Sequence, residues 1–250
     1  MRILITGANG QLGCEIRDLT CLYSSVDFIF TDLDDLDICD FNALENFIIE
    51  KKITGVINCA AYTDVDKAEE NVEIVNQVNF KGVLNLVNAL KAVNGKLIHI
   101  STDYVFDGKN SLPYNELDTV NPIGVYGKSK RAGELAITNS GINGIVIRTS
   151  WLYSSYGNNF VKKILDLVLE KKECSVVFDQ LGTPTYAKDL AITCLNIICR
   201  PNSNKINNKQ QIYHYSNEGV ASWYDFAKAI IEFRTIACKV TPVLTKDFPT

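Results

Sequence analysis

Short apolar runs alternate with longer amphipathic segments along the first 150 residues of the chain. The apolar runs have the length of buried strands, and the segments between them repeat apolar positions three and four residues apart, as on one face of a helix. The predicted strands cover Arg2–Thr6, Asp27–Thr31, 55–59, 96–101 and 144–149. The predicted helices cover 12–19, 41–52, 72–93 and a long segment that starts near residue 126. Strands that alternate with helices predict an α/β fold with a doubly wound parallel sheet of the Rossmann type.

The alternation becomes less regular after residue 150. Further helices are predicted at 160–170, 188–199 and 222–233, and β-like runs at 175–178, 211–215 and up to 244, with a polar loop before the second run. We therefore predict a dinucleotide-binding Rossmann domain at 1–150. Residues 151–250 are predicted to form mainly a smaller substrate-binding lobe, interleaved with the tail of the first domain.

Composition narrows the class of protein. The chain has 250 residues, of which 46% are hydrophobic, and a net charge of −4 with scattered lysines. This balance is typical of a compact protein and disfavours nucleic acid or an anionic membrane surface as a partner. No apolar run approaches the roughly 20 residues of a membrane span, and a strand begins at once after Met1 without a basic and apolar leader. We expect a cytoplasmic protein.

Cysteine and histidine offer little chemistry. The eight cysteines include no Cys-x-x-Cys pair and no neighbouring histidine, so we expect buried reduced thiols and no metal site. The two histidines, His99 and His214, are isolated in strand-like runs, and we interpret both as structural. A Ser-His-Asp hydrolase or a histidine-ligated metal enzyme is therefore disfavoured.

A glycine loop follows the first strand. Gly7, Gly10 and Gly13 lie between that strand and the next helix, where glycines allow a tight turn and a close approach of the backbone to a pyrophosphate. The spacing is Gly-x-x-Gly-x-x-Gly and not the Gly-x-Gly-x-x-Gly of two-domain dehydrogenases. A glycine turn can be only a turn, but its place after the first strand favours a nucleotide site.

Three later positions extend this predicted site. Asp32 ends the second strand, where a carboxylate can bind the ribose hydroxyls and repel a 2′-phosphate, so we expect a preference for NADH. The alternative is a solvated loop aspartate among other acidic residues. Asp37 and Ile38 begin the turn where an adenine would lie. Small residues at the end of the third strand would admit a cofactor, and Thr63 is predicted to cap the helix that follows.

Tyr126 and Lys130 are the candidate acid/base pair. Residues four apart share one face of a helix, so the ammonium is expected to favour the phenolate and lower the pKa of the phenol. Thr102 lies at the carboxyl end of the fourth strand, where ligands bind in open parallel sheets, and its hydroxyl can contact the same substrate oxygen.

The Tyr-x-x-x-Lys pattern arises readily by chance in a chain with eleven tyrosines, and a second example exists at Tyr224 and Lys228. Position decides between them. Tyr126 follows Thr102 by a single loop, whereas Tyr224 lies in an amphipathic segment of the second half. We therefore predict that Tyr224 is a core-facing aromatic residue and Lys228 a surface charge.

Several fragments together resemble a known family. The glycine loop, Thr102 and the Tyr126–Lys130 pair are similar to the extended short-chain dehydrogenase/reductases. Four segments resemble, more narrowly, the dTDP-4-dehydrorhamnose reductases: 101–108 (Ser-Thr-Asp-Tyr-Val-Phe-Asp-Gly), 121–122 (Asn-Pro), 148–151 (Arg-Thr-Ser-Trp) and 182–185 (Gly-Thr-Pro-Thr). The resemblance runs along nearly the whole chain. It implies reduction of the 4-keto group of dTDP-4-dehydro-L-rhamnose by NADH or NADPH, giving dTDP-L-rhamnose for cell-surface polysaccharide.

The resemblance also implies roles for individual residues. Tyr126 would donate the proton, Lys130 would hold the nicotinamide ribose and lower the pKa of Tyr126, and Thr102 would bond the reacting oxygen. Thr102, Asp103 and Trp151 would face the sugar. The cofactor would contact Gly7, Gly10, Gln11, Leu12, Gly13, Asp32, Asp37, Ile38, Ala61, Tyr62, Thr63, Tyr126 and Lys130.

Two features depart from the family pattern. Members usually continue into an Arg-Pro-x-x-Ser segment that helps to bind the nucleotide-sugar, so we expect the present sequence to be truncated at its C-terminus. Some members form a magnesium-bridged dimer through glutamates. Glu15 occupies the first such position, but Lys188 occupies the second, and a lysine repels the ion. We expect a monomer or weak dimer without a bridging metal.

Three alternatives remain open from the sequence. A dehydratase of the same superfamily typically has Asp-Glu after the active-site threonine, and here Asp103 precedes Tyr104. Another nucleotide-sugar reductase or epimerase of the extended type would share the same residues. The regulatory subunit of methionine adenosyltransferase resembles this fold and binds NADP without turnover; the complete set of Thr102, Tyr126 and Lys130 argues against such a binding module.

Overall fold

The computed structural model describes residues 1–200 and 211–248. The first part contains, in chain order, β1 (Arg2–Thr6), α1 (Gln11–Leu19), β2 (Asp27–Thr31), α2 (Phe41–Glu50), β3 (Gly55–Asn58), α3 (Val65–Ala68), α4 (Val72–Asn76), α5 (Val83–Ala92), β4 (Lys96–Thr102), α6 (Val125–Thr138) and β5 (Asn143–Thr149). The second part contains β6 (Leu152–Tyr153), α7 (Phe160–Glu170), β7 (Glu173–Val177), β8 (Leu181–Gly182), β9 (Thr185–Tyr186), α8 (Ala187–Ile198), β10 (Ile212–His214), β11 (Ala221–Ser222), α9 (Trp223–Arg234) and β12 (Lys239–Val243).

Six strands form one parallel sheet in the order β10-β5-β4-β3-β1-β2. The five strands predicted in the first half are present, and their predicted bounds differ from the observed ones by at most one residue. The strand order reverses between β1 and β3, and ligands in open α/β sheets bind beyond the carboxyl ends of strands at such a point. The predicted α/β class and doubly wound parallel sheet are confirmed.

Successive residues of each strand supply the cores on the two faces of the sheet. Leu4, Val56 and Leu97 contribute to the core beneath α2, α5 and α6. Ile3 and Ile57 contribute to the opposite core beneath α1 and α8. Strands that are buried on both faces read as continuous apolar runs, which is why the sequence reveals them clearly.

The second part of the chain is shared between two cores. α8 packs beside α1, and β10 pairs with β5, so both belong to the large sheet. A separate core joins α7 and α9 with β7 and β12, which pair in parallel. The expected interleaving takes this form. The polar loop predicted between α8 and β10 lies outside the described residues.

The predicted helix at 72–93 is not uniformly α-helical. Gln77–Gly82 form a π-helical segment between α4 and α5. This wider turn carries the fully buried Asn79, whose side chain bonds the backbone N and O of Tyr62 at 2.8 and 3.0 Å and the hydroxyl of Ser129 at 3.1 Å. Periodicity predicts a regular helix here, whereas contacts with the β3 loop and α6 accompany the wider turn.

All eight cysteines are free, as predicted, but the expected burial is correct only for Cys174 and Cys194. Cys21 is exposed and the other five are half-buried, because most apolar segments of an α/β protein have one face toward solvent. In the two described ranges, no helix is long and apolar enough to cross a membrane.

Candidate active site

The glycine loop packs closely on the end of β3. Gly7 has φ +62°, and a Cβ on it would lie 2.6 Å from the backbone N of Ala60. A Cβ on Gly13 would lie 2.6 Å from the Gly7 carbonyl oxygen. Gly10 is the N-cap of α1 and has no side chain to cover the first amide groups of that helix. The loop therefore has the shape and the free amide groups that suit the pyrophosphate of a dinucleotide.

Asp32 lies beside this loop, as the sequence predicts. Its carboxylate accepts hydrogen bonds from the backbone N of Asn9 at 2.8 Å and of Leu33 at 2.9 Å. Each bond occupies one carboxylate oxygen, so both oxygens retain a lone pair for a ribose hydroxyl. Asp32 thus tethers the glycine loop in addition to its predicted contact with a cofactor.

The other predicted cofactor positions lie along the same edge but differ in exposure. The Asp37 carboxylate accepts a bond from Cys39 N at 2.8 Å, and the Ile38 side chain is buried against Gly82. Ala61, Tyr62 and Thr63 form the loop after β3. The prediction that Thr63 caps the next helix is wrong: Asp64 caps α3 by accepting from Lys67 N at 3.2 Å, because the helix begins one residue later than expected.

Thr102 and Tyr126 meet at the carboxyl end of β4. The Thr102 hydroxyl donates to Asp103 Oδ1 at 3.0 Å, accepts from Tyr104 N at 3.2 Å and is hydrogen-bonded to Tyr126. The ring of Tyr104 contacts the Tyr126 ring edge-to-face at 5.6 Å. A Cβ on Gly127 would overlap the Tyr104 carbonyl oxygen, so a glycine after Tyr126 permits this contact.

The pKa of Tyr126 moves in the direction opposite to the sequence prediction. Burial of the phenol raises its pKa, the hydrogen bond with Thr102 lowers it, and the charges of Asp103 and Tyr104 raise it further. Burial also raises the pKa of Asp103, to about 6. Tyr126 is therefore a protonated phenol at neutral pH, which suits a proton donor.

Lys130 is buried one turn after Tyr126, with 2% of its surface exposed. Its ammonium donates to the Ile100 carbonyl oxygen at 2.6 Å and approaches His99 Nε2 at 3.4 Å. Burial lowers the pKa of Lys130 to about 8, although Glu134 and Cys59 act to raise it. The sequence did not connect His99 with this site. The available signal was an imidazole inside a fully buried strand, since buried polar groups require hydrogen-bond partners.

Trp151 lies at the junction with the second core. It has φ +48°, and its ring stacks on Trp223 with centroids 3.5 Å apart and an angle of 7° between the planes. The sequence did not predict Trp223 as part of this wall. The alternative acid/base pair lies in the same helix: Tyr224 packs against the second core, and Lys228 forms an exposed ion pair with Glu232 at 3.3 Å. Both predictions for Tyr224 and Lys228 are confirmed.

The loop after β6 joins the second part of the chain to α1. Ser154 donates to the buried Glu15 at 2.6 Å, and Asn159 donates to Gln11 at 3.0 Å. Gln11 and Leu12 thus lie where the glycine loop, α1 and the second core converge, while the Leu12 side chain is buried in the core under α1. In this structure Glu15 is engaged in an internal contact, and the oligomeric state stays a prediction.

A parallel sheet with a glycine loop after β1, and with a threonine, tyrosine and lysine gathered beyond β4, defines an oxidoreductase of the extended short-chain dehydrogenase/reductase class. Comparison with protein families narrows the class: the model of the RmlD substrate binding domain matches residues 1–250. The chain belongs to the dTDP-4-dehydrorhamnose reductase family.

Individual relatives are similar over nearly their whole length. The dTDP-4-dehydrorhamnose reductase of Aggregatibacter actinomycetemcomitans is 40% identical over 260 residues, covering 100% of this chain and 86% of the relative. A crystal structure of a dTDP-4-dehydrorhamnose reductase from Clostridium acetobutylicum superposes with a TM-score of 0.93 at 44% identity, covering 100% of this chain and 86% of that one. The enzyme from Bacillus anthracis, crystallised with NADP, gives a TM-score of 0.92 at 38% identity, covering 99% and 86%.

Proposed function

We propose that this protein reduces the 4-keto group of dTDP-4-dehydro-L-rhamnose to the hydroxyl of dTDP-L-rhamnose with NADH or NADPH, in the cytoplasm. The observation that carries the proposal is the hydrogen-bonded pair of Thr102 and Tyr126 beside the buried Lys130, in a chain of this family. A nicotinamide cofactor supplies a hydride when it is bound. The residues of the chain have to place the ketone and supply the proton.

The residues around the glycine loop fit a dinucleotide. Gly7, Gly10 and Gly13 leave space that a Cβ would fill, and the N-terminus of α1 favours negative charge. We assign Asp32 to the adenosine ribose. The remaining predicted contacts are assigned to the adenine or the phosphates: Gln11, Leu12, Asp37, Ile38, Ala61, Tyr62 and Thr63.

Tyr126 is assigned as the proton donor to the ketone oxygen. Its raised pKa keeps the phenol protonated before the reaction, and Lys130, one helical turn away, favours the phenolate that remains after proton transfer. Thr102 has one hydroxyl proton, which Asp103 holds when its carboxyl group is ionised. A protonated Asp103 can donate to Thr102 instead, which frees the threonine proton for the developing oxyanion.

The sugar is assigned to the space between Thr102, Asp103 and Trp151. The Trp151 ring is held by its stack on Trp223 and can act as a fixed apolar wall for one face of the sugar ring. Polar groups at one end and an aromatic wall at the other are typical of sites for polar ring ligands.

The proposal is tested by direct assay. Purified protein should oxidise NADH or NADPH when dTDP-4-dehydro-L-rhamnose is added, followed by the loss of reduced-cofactor absorbance and by identification of dTDP-L-rhamnose. Tight cofactor binding without turnover of this substrate would point instead to a non-catalytic binding protein. Turnover of only other nucleotide-sugar ketones would retain the reductase chemistry and overturn the assigned substrate.

A second prediction concerns the choice of cofactor. The Asp32 carboxylate is expected to repel a 2′-phosphate, so the wild-type protein should bind NADH more tightly than NADPH. Asp32→Asn should narrow the difference, mainly by tightening NADPH about tenfold, which corresponds to roughly 1.4 kcal/mol for removal of one nearby charge. Fluorescence titration of both cofactors measures this.

The exposed Asp34, two residues away in the same turn, provides the matched control. Asp34→Asn removes an equal charge and should leave the ratio of the two dissociation constants unchanged. Tighter NADPH binding by the wild-type protein would contradict the role assigned to Asp32.

A further inference from the structure

A continuous set of buried polar side chains leads from the first strand of the sheet to Lys130. The Thr6 hydroxyl donates to Asn58 Oδ1 at 2.7 Å, Asn58 Nδ2 lies 3.0 Å from His99 Nδ1, and His99 Nε2 lies 3.4 Å from Lys130 Nζ. None of these four residues is more than 2% exposed. Buried polar groups in a row have few ways to arrange their protons, so the arrangement can be worked out.

The orientation of the Asn58 amide follows from its neighbours. Asn58 Oδ1 accepts from the Thr6 hydroxyl and also from the backbone N of Ala60, at 3.2 Å. A reversed amide would set its NH₂ group against the Ala60 N–H, which is a contact between two donors. The Asn58 NH₂ group therefore faces His99 and donates to Nδ1.

This orientation determines the tautomer of His99. Complete burial and the nearby charge of Lys130 hold the pKa of His99 well below its usual value, so the ring is neutral and carries one proton. Nδ1 accepts from Asn58, and the proton must therefore lie on Nε2, directed toward Lys130. An ammonium group has three donors and no acceptor, whereas a neutral amine can accept the Nε2–H bond.

The other groups around Lys130 favour the ammonium. The Ile100 carbonyl oxygen accepts from Nζ, and Glu134 on the same helix and Cys59 after β3 raise the pKa of the lysine when they are charged. Tyr126 lies one turn earlier on α6. His99 is thus the group in direct contact with Lys130 whose proton opposes the positive charge.

We propose that Asn58 and His99 are positioning residues that set the proton affinity of Lys130, by holding the single proton of His99 on Nε2 against the lysine nitrogen. Thr6 orients Asn58 for this task. The kinetic consequence rests on the proposed function, in which cationic Lys130 assists Tyr126. The assignment of the His99 tautomer and its effect on the lysine rest only on the contacts above.

The tautomer can be measured directly because the chain has two histidines. In ¹⁵N-histidine-labelled protein, long-range proton–nitrogen correlation spectra distinguish a protonated Nε2 from a protonated Nδ1, and His99→Gln identifies the resonances of His99. The expected result is a neutral ring protonated at Nε2. A ring protonated at Nδ1, or at both nitrogens, at neutral pH would overturn the proposal without any variant having to fold or turn over.

Asn58→Asp tests the effect on Lys130 with a defined sign. A carboxylate accepts from Thr6 and Ala60 as before, but it also accepts at His99, so the ring proton moves to Nδ1 and Nε2 becomes an acceptor for the ammonium. Titration of the Lys130 side-chain ¹⁵N resonance should then show proton loss at a pH about one unit higher than in the wild type. The decline of reductase rate with rising pH should move in the same direction.

The negative charge introduced by Asn58→Asp would by itself raise the proton affinity of Lys130, so the comparison needs the double variant. If the effect passes through His99, most of the shift caused by Asn58→Asp is lost in a His99→Gln background. An equal shift with and without His99 would overturn the proposal. Absence of reductase activity in every variant, with the expected tautomer and lysine titration, would contradict the proposed function and leave this inference standing.

Discussion

Tyr126→Phe is expected to lower kcat for the proposed ketone reduction by about 10² to 10⁴-fold, the range typical for loss of a positioned acid or base. The change removes the phenolic proton and leaves the ring that contacts Tyr104. Cofactor affinity should change little, because the predicted phosphate and adenosine contacts lie on other residues. Steady-state rates and cofactor titration of the two proteins measure both effects.

The chain contains its own control for this experiment. Tyr224→Phe removes a hydroxyl from the second Tyr-x-x-x-Lys pair, on a helix whose lysine is bonded to Glu232 at the surface. That variant should retain the wild-type rate. Unchanged turnover in Tyr126→Phe would refute the assigned proton donor, and equal losses in both variants would indicate a general effect on folding.

Glu134→Ala is expected to destabilise the folded protein by about 3–5 kcal/mol, the cost of breaking a buried ion pair by removing one partner. Glu134 is fully buried and accepts from Arg148 at 2.7 and 2.8 Å, from Ser101 at 2.7 Å and from Arg131 at 2.8 Å. Without this carboxylate, Arg148, which is 3% exposed, keeps a buried charge with reduced compensation. Urea unfolding at an unchanged m-value measures the loss.

An exposed ion pair provides the matched comparison. Glu232→Ala breaks the surface pair with Lys228 and should cost less than about 0.5 kcal/mol, since solvent screens such pairs. Glu134→Gln keeps the shape and the acceptor oxygen and should fall between these two values. A loss below about 1 kcal/mol for Glu134→Ala would show that this network contributes little to stability.

The Glu134 network also connects stability with the site. Ser101, one of its hydrogen-bond donors, directly precedes Thr102, and Arg148 lies on the neighbouring strand β5. Burial by itself raises the pKa of Glu134, but the bonds from Arg148, Ser101 and Arg131 outweigh it and hold the pKa below its usual value. Its contribution is therefore complete above the pKa of an unfolded glutamate, and it is lost as the pH falls through the lower pKa of the folded state.

Local pattern was sufficient for the sheet and for the choice of the reactive tyrosine. Strands such as Gly55–Asn58 are buried on both faces and read as apolar runs, and the positions of Thr102 and Tyr126 follow from the order of strands and helices. The glycine loop was equally visible, because Gly7 requires a positive φ and close packing that other residues rarely tolerate.

Contacts between distant segments decided the rest. The π-helical turn at Asn79, the stack of Trp223 on Trp151 and the chain from Thr6 to Lys130 each join residues that lie 17 to more than 50 positions apart. The direction of the Tyr126 pKa was mispredicted for the same reason. The sequence by itself determined which groups are present and on which elements they lie; only the tertiary structure decided their burial and their partners, because desolvation and hydrogen bonding depend on what the folded chain places around each group.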